Sequence, residues 1–173
     1  MDSKYISDVC RTLKLLPLDQ IEIAIKAIDE ARTNKKWVYL FGNGGSAANA
    51  SHLANGLQKV GVKTHVLDNT PIITAIANDT SYDKIFSEQL KDVIEKGDIA
   101  IGISCSGNSK NVLRAVEYAK YEIATTIGLT AFDGGELKDL VDIPILVPVN
   151  SHEQAEDIHS IIGHMITLRL GEI

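Results

Sequence analysis

From Trp37 onward the chain alternates short apolar, β-branched runs with stretches of helical spacing, and this rhythm restricts the fold more than any other feature. The runs at 37–41, 63–67, 98–104, 124–130 and 143–147 read as strands, and 46–59, 71–77, 82–95, 109–120, 136–141 and 153–170 read as helices. The strands show little polar alternation, as expected when both faces are covered. Such a pattern predicts an α/β fold: a doubly wound, five-stranded parallel sheet flanked by helices, of the flavodoxin-like kind. Residues 4–34 ahead of it read as a helical pair. Ile6, Val9, Leu13 and Leu16 recur at helical spacing, Pro17-Leu-Asp19 interrupts, and Ile21, Ala24, Ile25, Ile28 and Ala31 mark one face of the second helix. With 173 residues and no linker or low-complexity stretch, one domain is expected over 1–173, with helices to 35 and the α/β core from 36.

Doubly wound sheets bind ligands in the loops at the C-terminal ends of their strands. Two of those loops carry chemistry. The first, Gly42-Asn-Gly-Gly-Ser46, joins a strand to a helix. Its glycines permit close backbone approach, and the helix N-terminus offers free N–H groups. Alone, it fits an anion site or a plain tight turn with a capping serine equally well. The second, Ser104-Cys-Ser-Gly-Asn-Ser109, precedes another helix. Hydroxyls and backbone amides at this density suit a phosphate. Cys105 has no histidine close in sequence to activate it and reads as a small filler. Neither loop is a GxxxxGK[ST] nucleotide loop, and the first lacks the GxGxxG spacing. The ligand is therefore expected to be a small phosphorylated molecule.

Composition removes other classes. The net charge of −6 and pI of about 5.3 argue against a nucleic-acid-coating surface. No apolar run reaches membrane-spanning length, and the first residues lack the apolar core of a signal peptide. Cys10 and Cys105 form no metal or redox motif, which suits a cytoplasmic protein.

Gly42-Asn-Gly-Gly-Ser46, Ala77-Asn-Asp79, Ser104 to Ser109 and the tail Glu156-Asp-Ile-His159…His164 together resemble the sugar isomerase (SIS) domain. Within it the chain is most similar to the sedoheptulose 7-phosphate (phosphoheptose) isomerases. The resemblance spans nearly the whole chain. It implies conversion of sedoheptulose 7-phosphate to a heptose 7-phosphate for nucleotide-heptose, lipopolysaccharide or capsule synthesis. It also implies a phosphate held by Ser104, Ser106 and Ser109, with Cys105 among the substrate-binding residues, and a sugar facing Asn43, Ser46, Asp79 and Glu156. His164 and Glu156 would be catalytic. One zinc ion per subunit would sit on His52, Glu156 and His164. The family's members are tetramers whose sites are shared between subunits.

One position departs from the resemblance. The family has a glutamate four residues after the first-helix histidine, as ligand and base, and this chain has Gly56. His and Glu at i, i+4 share a helix face, whereas Asn55 lies about 100° away. Either Glu156 or Asp157 stands in as the carboxylate, or turnover is impaired. In the second case the chain would be a binder of sugar phosphate or of a protein partner such as the replication initiator DnaA. On the last helix, Asp157 and His159 extend the possible ligand set. His65 and His152 read as surface residues.

Overall fold

The computed structural model describes residues 3–173. The expected helical pair is α1 (Ser3–Leu13) and α2 (Leu18–Thr33). The core follows as β1 (Trp37–Gly42), α3 (Gly45–Lys59), β2 (Lys63–Val66), α4 (Thr70–Asp79), a 3-10 turn (Tyr82–Lys84) and α5 (Ser87–Leu90). It continues with β3 (Ile99–Ile103), α6 (Lys110–Tyr121), β4 (Thr125–Thr130), α7 (Gly135–Leu140), β5 (Ile143–Leu146) and α8 (His152–Glu172). The five strands form one parallel sheet in the order β2-β1-β3-β4-β5. The order reverses between β1 and β3, so the loops that follow them open at the same crevice.

The two faces of the sheet differ in side-chain size. On one face Val38, Leu40, Ile99, Ile101 and Ile103 meet α2, α3 and α8 through residues such as Ile28, Leu57 and Ile162. The other face of β3 carries only Ala100 and Gly102, and a Cβ at Gly102 would stand 3.0 Å from Val112. Small residues there let α6 close tightly on the sheet. The run Ile-Ala-Ile-Gly-Ile is thus an alternation of large and small, buried on both sides.

The helix expected over 82–95 does not form. The segment breaks into the 3-10 turn, α5 and an irregular return in which Asp92 has a positive φ of 62°. Ile85, Phe86, Leu90 and Ile94 are all buried, and the left-handed backbone at Asp92 ends the helical path before Ile94. The return is held by polar contacts. The Tyr39 hydroxyl donates to the Val93 carbonyl at 3.0 Å, and the buried Asp98 carboxylate accepts from Glu95 N–H and Trp37 N–H, each at 2.9 Å.

Candidate functional site

A cavity of about 160 Å³ opens where the loops after β1 and β3 meet the start of α8. Asn43 and Ser46 line it from the first loop, Ser104, Cys105, Ser106 and Ser109 from the second, and His152 and Glu156 from α8. Seven of the expected substrate-facing residues therefore converge. Asp79 does not line this cavity. It ends α4 in an exposed position, accepting a 2.9 Å hydrogen bond from Asn78.

The second loop is rigidly fastened. Ser104 N–H donates to the Leu129 carbonyl at 3.0 Å, and the Cys105 carbonyl accepts from Ala131 N–H at 2.8 Å. Gly107 has a positive φ of 67°, and a Cβ there would collide with the Gly134 carbonyl. No residue but glycine fits that contact. Ser104 Oγ donates to Ser109 Oγ at 3.1 Å, which sets two hydroxyls side by side at the N-terminus of α6. Ser109 occupies the N-cap position, yet its hydroxyl makes no capping bond. Burial pushes the Cys105 thiol up from its ordinary pKa, so it stays protonated and unreactive, as the filler reading expects.

The first loop differs in detail from the sequence expectation. Gly44, not Ser46, is the N-cap of α3, and Ser46 lies buried in the first turn. The Glu156 carboxylate comes so close to Gly45 that a Cβ there would overlap it. An anionic side chain at a helix N-terminus is electrostatically favoured. Glycine at 45 is what lets Glu156 reach it.

Helices α3 and α8 run side by side and carry the remaining candidates. Asn49 Nδ2 donates to the Glu156 carbonyl at 2.9 Å, and Ser160 Oγ donates to Asn49 Oδ1 at 2.8 Å. Further along, His52 Nε2 and His164 Nε2 lie 2.8 Å apart, one ring donating and the other accepting. They line a separate groove with Gly56, Lys59 and Thr167. Glu156 is eight residues, about two turns, from His164 and lines the other cavity. One chain thus unites His52 with His164 but leaves Glu156 apart.

The expected zinc set does not fit the residues as one chain arranges them. Among the described residues no three His, Cys, Asp or Glu side chains converge. His52 Nε2 and His164 Nε2 face each other at 2.8 Å, and position 56 supplies no third side chain. His159 is excluded as a ligand: it is 2% exposed, its Nε2 meets the Thr130 carbonyl at 3.2 Å, and burial lowers its pKa to about 4. Asp157 faces α1, accepting from the Tyr5 hydroxyl at 2.6 Å, so Glu156 is the carboxylate left for the site.

Three residues escaped the sequence reading. His152 was expected to be an ordinary surface residue. It is exposed, but it lines the cavity with its ring 4.9 Å from that of Phe132, and no lysine or arginine lines that cavity. Asn111 and Tyr82 both hydrogen-bond Asn43. Only position in space marks these three, since Asn and Tyr in a helix or turn are commonplace. His65 is exposed, as expected.

The SIS-domain profile matches residues 3–131. A phosphoheptose isomerase of Nitratiruptor sp. is 41% identical over 150 residues, covering 83% of this chain and 80% of the relative. A probable phosphoheptose isomerase of Thermoplasma acidophilum is 36% identical and covers 99% of both chains. Among solved structures, the phosphoheptose isomerase GmhA of Neisseria gonorrhoeae superposes with a TM-score of 0.93 at 28% identity, covering 99% of this chain and 97% of that one.

Proposed function

The chain belongs to the SIS-domain family, and on that ground we propose that it is a phosphoheptose isomerase, converting sedoheptulose 7-phosphate to D-glycero-D-manno-heptose 7-phosphate. The observation that carries this reading is the serine-lined cavity with Glu156 at its wall. The phosphate binds against the hydroxyls of Ser104, Ser106 and Ser109 and the first amides of α6, with His152 as the one cation-capable side chain beside it. The sugar chain extends past Asn43 and Ser46 toward Glu156. Isomerisation moves a proton between neighbouring carbons through an enediol, with a base to take it and a donor to stabilise the oxygen. Glu156 and His164 are assigned those acid and base roles. The names of the relatives favour this activity over the partner-binding alternative.

Because His164 lies outside the cavity of its own chain, we assign it to the cavity of a second copy in a homotetramer. Two features support such packing. Helix α4 is apolar yet none of its residues is buried, and Ile6 and Leu168 are exposed. Among the described residues no helix is long and apolar enough to cross a membrane. The unpaired thiols of Cys10 and Cys105 support a cytoplasmic placement.

The test is direct. The protein is incubated with sedoheptulose 7-phosphate and the aldose product is followed by NMR. Turnover well above buffer is expected, and none would overturn the reading. Light scattering after size exclusion reads the tetramer, and a monomer at assay concentration would remove the shared site.

A further inference from the structure

The geometry points to Asn111 as the positioning residue that makes the Asn43 amide a one-way hydrogen-bond donor toward the sugar, an assignment that rests on the isomerase reading. Asn111, the second residue of α6, is 3% exposed and does not line the cavity. Its side chain faces that of Asn43 in a reciprocal pair. Asn43 Nδ2 donates to Asn111 Oδ1 at 2.9 Å, and Asn111 Nδ2 donates to Asn43 Oδ1 at 2.8 Å.

Two amides facing each other could pair in either orientation, because each end can give or accept. A third contact removes the choice. Val112 N–H stands 3.0 Å from Asn111 Oδ1. A backbone N–H can only donate, so the Asn111 atom beside it is the oxygen. That places Asn111 Nδ2 against Asn43 and makes the facing Asn43 atom its oxygen. Tyr82 supplies the last constraint. Its hydroxyl, 3.0 Å from the same oxygen, donates to it.

The consequence for the site is a matter of counting. Asn43 Oδ1 has two lone pairs, one taken by Asn111 and one by Tyr82. Asn43 Nδ2 has two N–H groups, and Asn111 takes one. What remains for a ligand in the cavity is a single N–H. Its complement is a sugar oxygen acting as acceptor, a carbonyl or the oxyanion into which it develops. The phosphate is held elsewhere, on the serine loop. Asn111 and Tyr82 therefore act on recognition of the sugar and leave recognition of the phosphate unchanged.

Asn111→Asp tests this with almost no change in volume. The carboxylate keeps its acceptor for Val112 N–H but has no donor for Asn43 Oδ1. The Asn43 amide then turns its N–H groups to the carboxylate and away from the cavity. Tyr82→Phe, at a position 57% exposed, removes one donor without disturbing the core and serves as a second variant. Calorimetry measures binding of sedoheptulose 7-phosphate and of inorganic phosphate to each protein, beside kcat and KM. Asn111→Asp adds a charge at the α6 N-terminus that weakens both ligands, and it is expected to weaken the sugar phosphate about tenfold more than inorganic phosphate, the effect of one lost hydrogen bond. Tyr82→Phe is expected to weaken it less, in the same direction. Unchanged sugar binding in both variants overturns the assignment. Equal weakening of both ligands in folded protein also overturns it, since that marks a merely structural residue. Wild-type protein that binds the sugar phosphate without turning it over defeats the isomerase reading alone and leaves the binding comparison to judge Asn111.

Discussion

A Cβ built on Gly56 stands 2.7 Å from Cγ2 of Thr167 across the α3–α8 contact. Real carbon atoms do not approach that closely, so glycine at 56 and threonine at 167 are matched. The family's glutamate cannot simply be returned to this position. Gly56→Glu alone is expected to destabilise the protein by about 1–3 kcal/mol through overpacking. Gly56→Glu with Thr167→Ala is expected to recover most of that loss. Urea denaturation of the two variants measures the difference, and equal stability of both would sink the pairing.

The same contact leaves position 56 without a ligand, so a carboxylate restored there should tighten metal binding. Among the described residues of one chain, His52 and His164 face each other at 2.8 Å and no third His, Cys, Asp or Glu joins them. Exhaustive dialysis against a chelator should leave the fold intact by circular dichroism. Competition with a chromogenic chelator should then show at least about tenfold tighter zinc in the Gly56→Glu/Thr167→Ala variant, one added carboxylate ligand being worth that much or more. A wild-type protein that holds zinc as tightly as the variant would contradict this.

Glu156 owes its place to Gly45. Gly45→Ala puts a methyl where the carboxylate lies, and what it meets is the far end of the flexible Glu156 side chain, which moves aside. Alanine at this first helical position, whose φ is not positive, stabilises by about 0.4–1 kcal/mol through the unfolded chain. The expected variant is as stable as wild type or more so, with isomerase activity reduced about 10²-fold or more, the usual weight of a positioned acid or base. Undiminished turnover would show that the Glu156 carboxylate has no part in the reaction.

His159 makes the fold sensitive to acid. Burial lowers its pKa from 6.5 to about 4, so the folded protein binds fewer protons than the unfolded chain between those values. Its contribution is complete above about pH 6.5 and disappears as pH falls through about 4, to a total of about 3 kcal/mol. Chemical denaturation across that range should show the loss in wild type. In His159→Leu the decline should be shallower by that amount, and parallel profiles would refute the assignment.

The fold was legible because continuous apolar strands and amphipathic helices are written in periodicity, which is local. The segment 82–95 was not, since its return is shaped by contacts with distant residues, such as Tyr39 with Val93, that helical spacing does not carry. Most of the phosphate loop was legible too. Serines and glycine at a strand end carry their chemistry wherever the strand goes. Asn111 and His152 were not, because neither residue type signals a site until folding sets it beside Asn43 or Ser104.

The sequence by itself determined the parallel sheet, the two ligand loops and the family to which the chain belongs. It also exposed Gly56 as the one break in the pattern. Only the tertiary structure decided what that break means. The approach of α3 to α8 sets Thr167 against Gly56, joins His52 to His164 and holds Glu156 two turns away at Gly45. Spacing along a helix says which residues share a face. Which face meets which neighbour, and at what distance, depends on packing between elements more than a hundred residues apart in the chain.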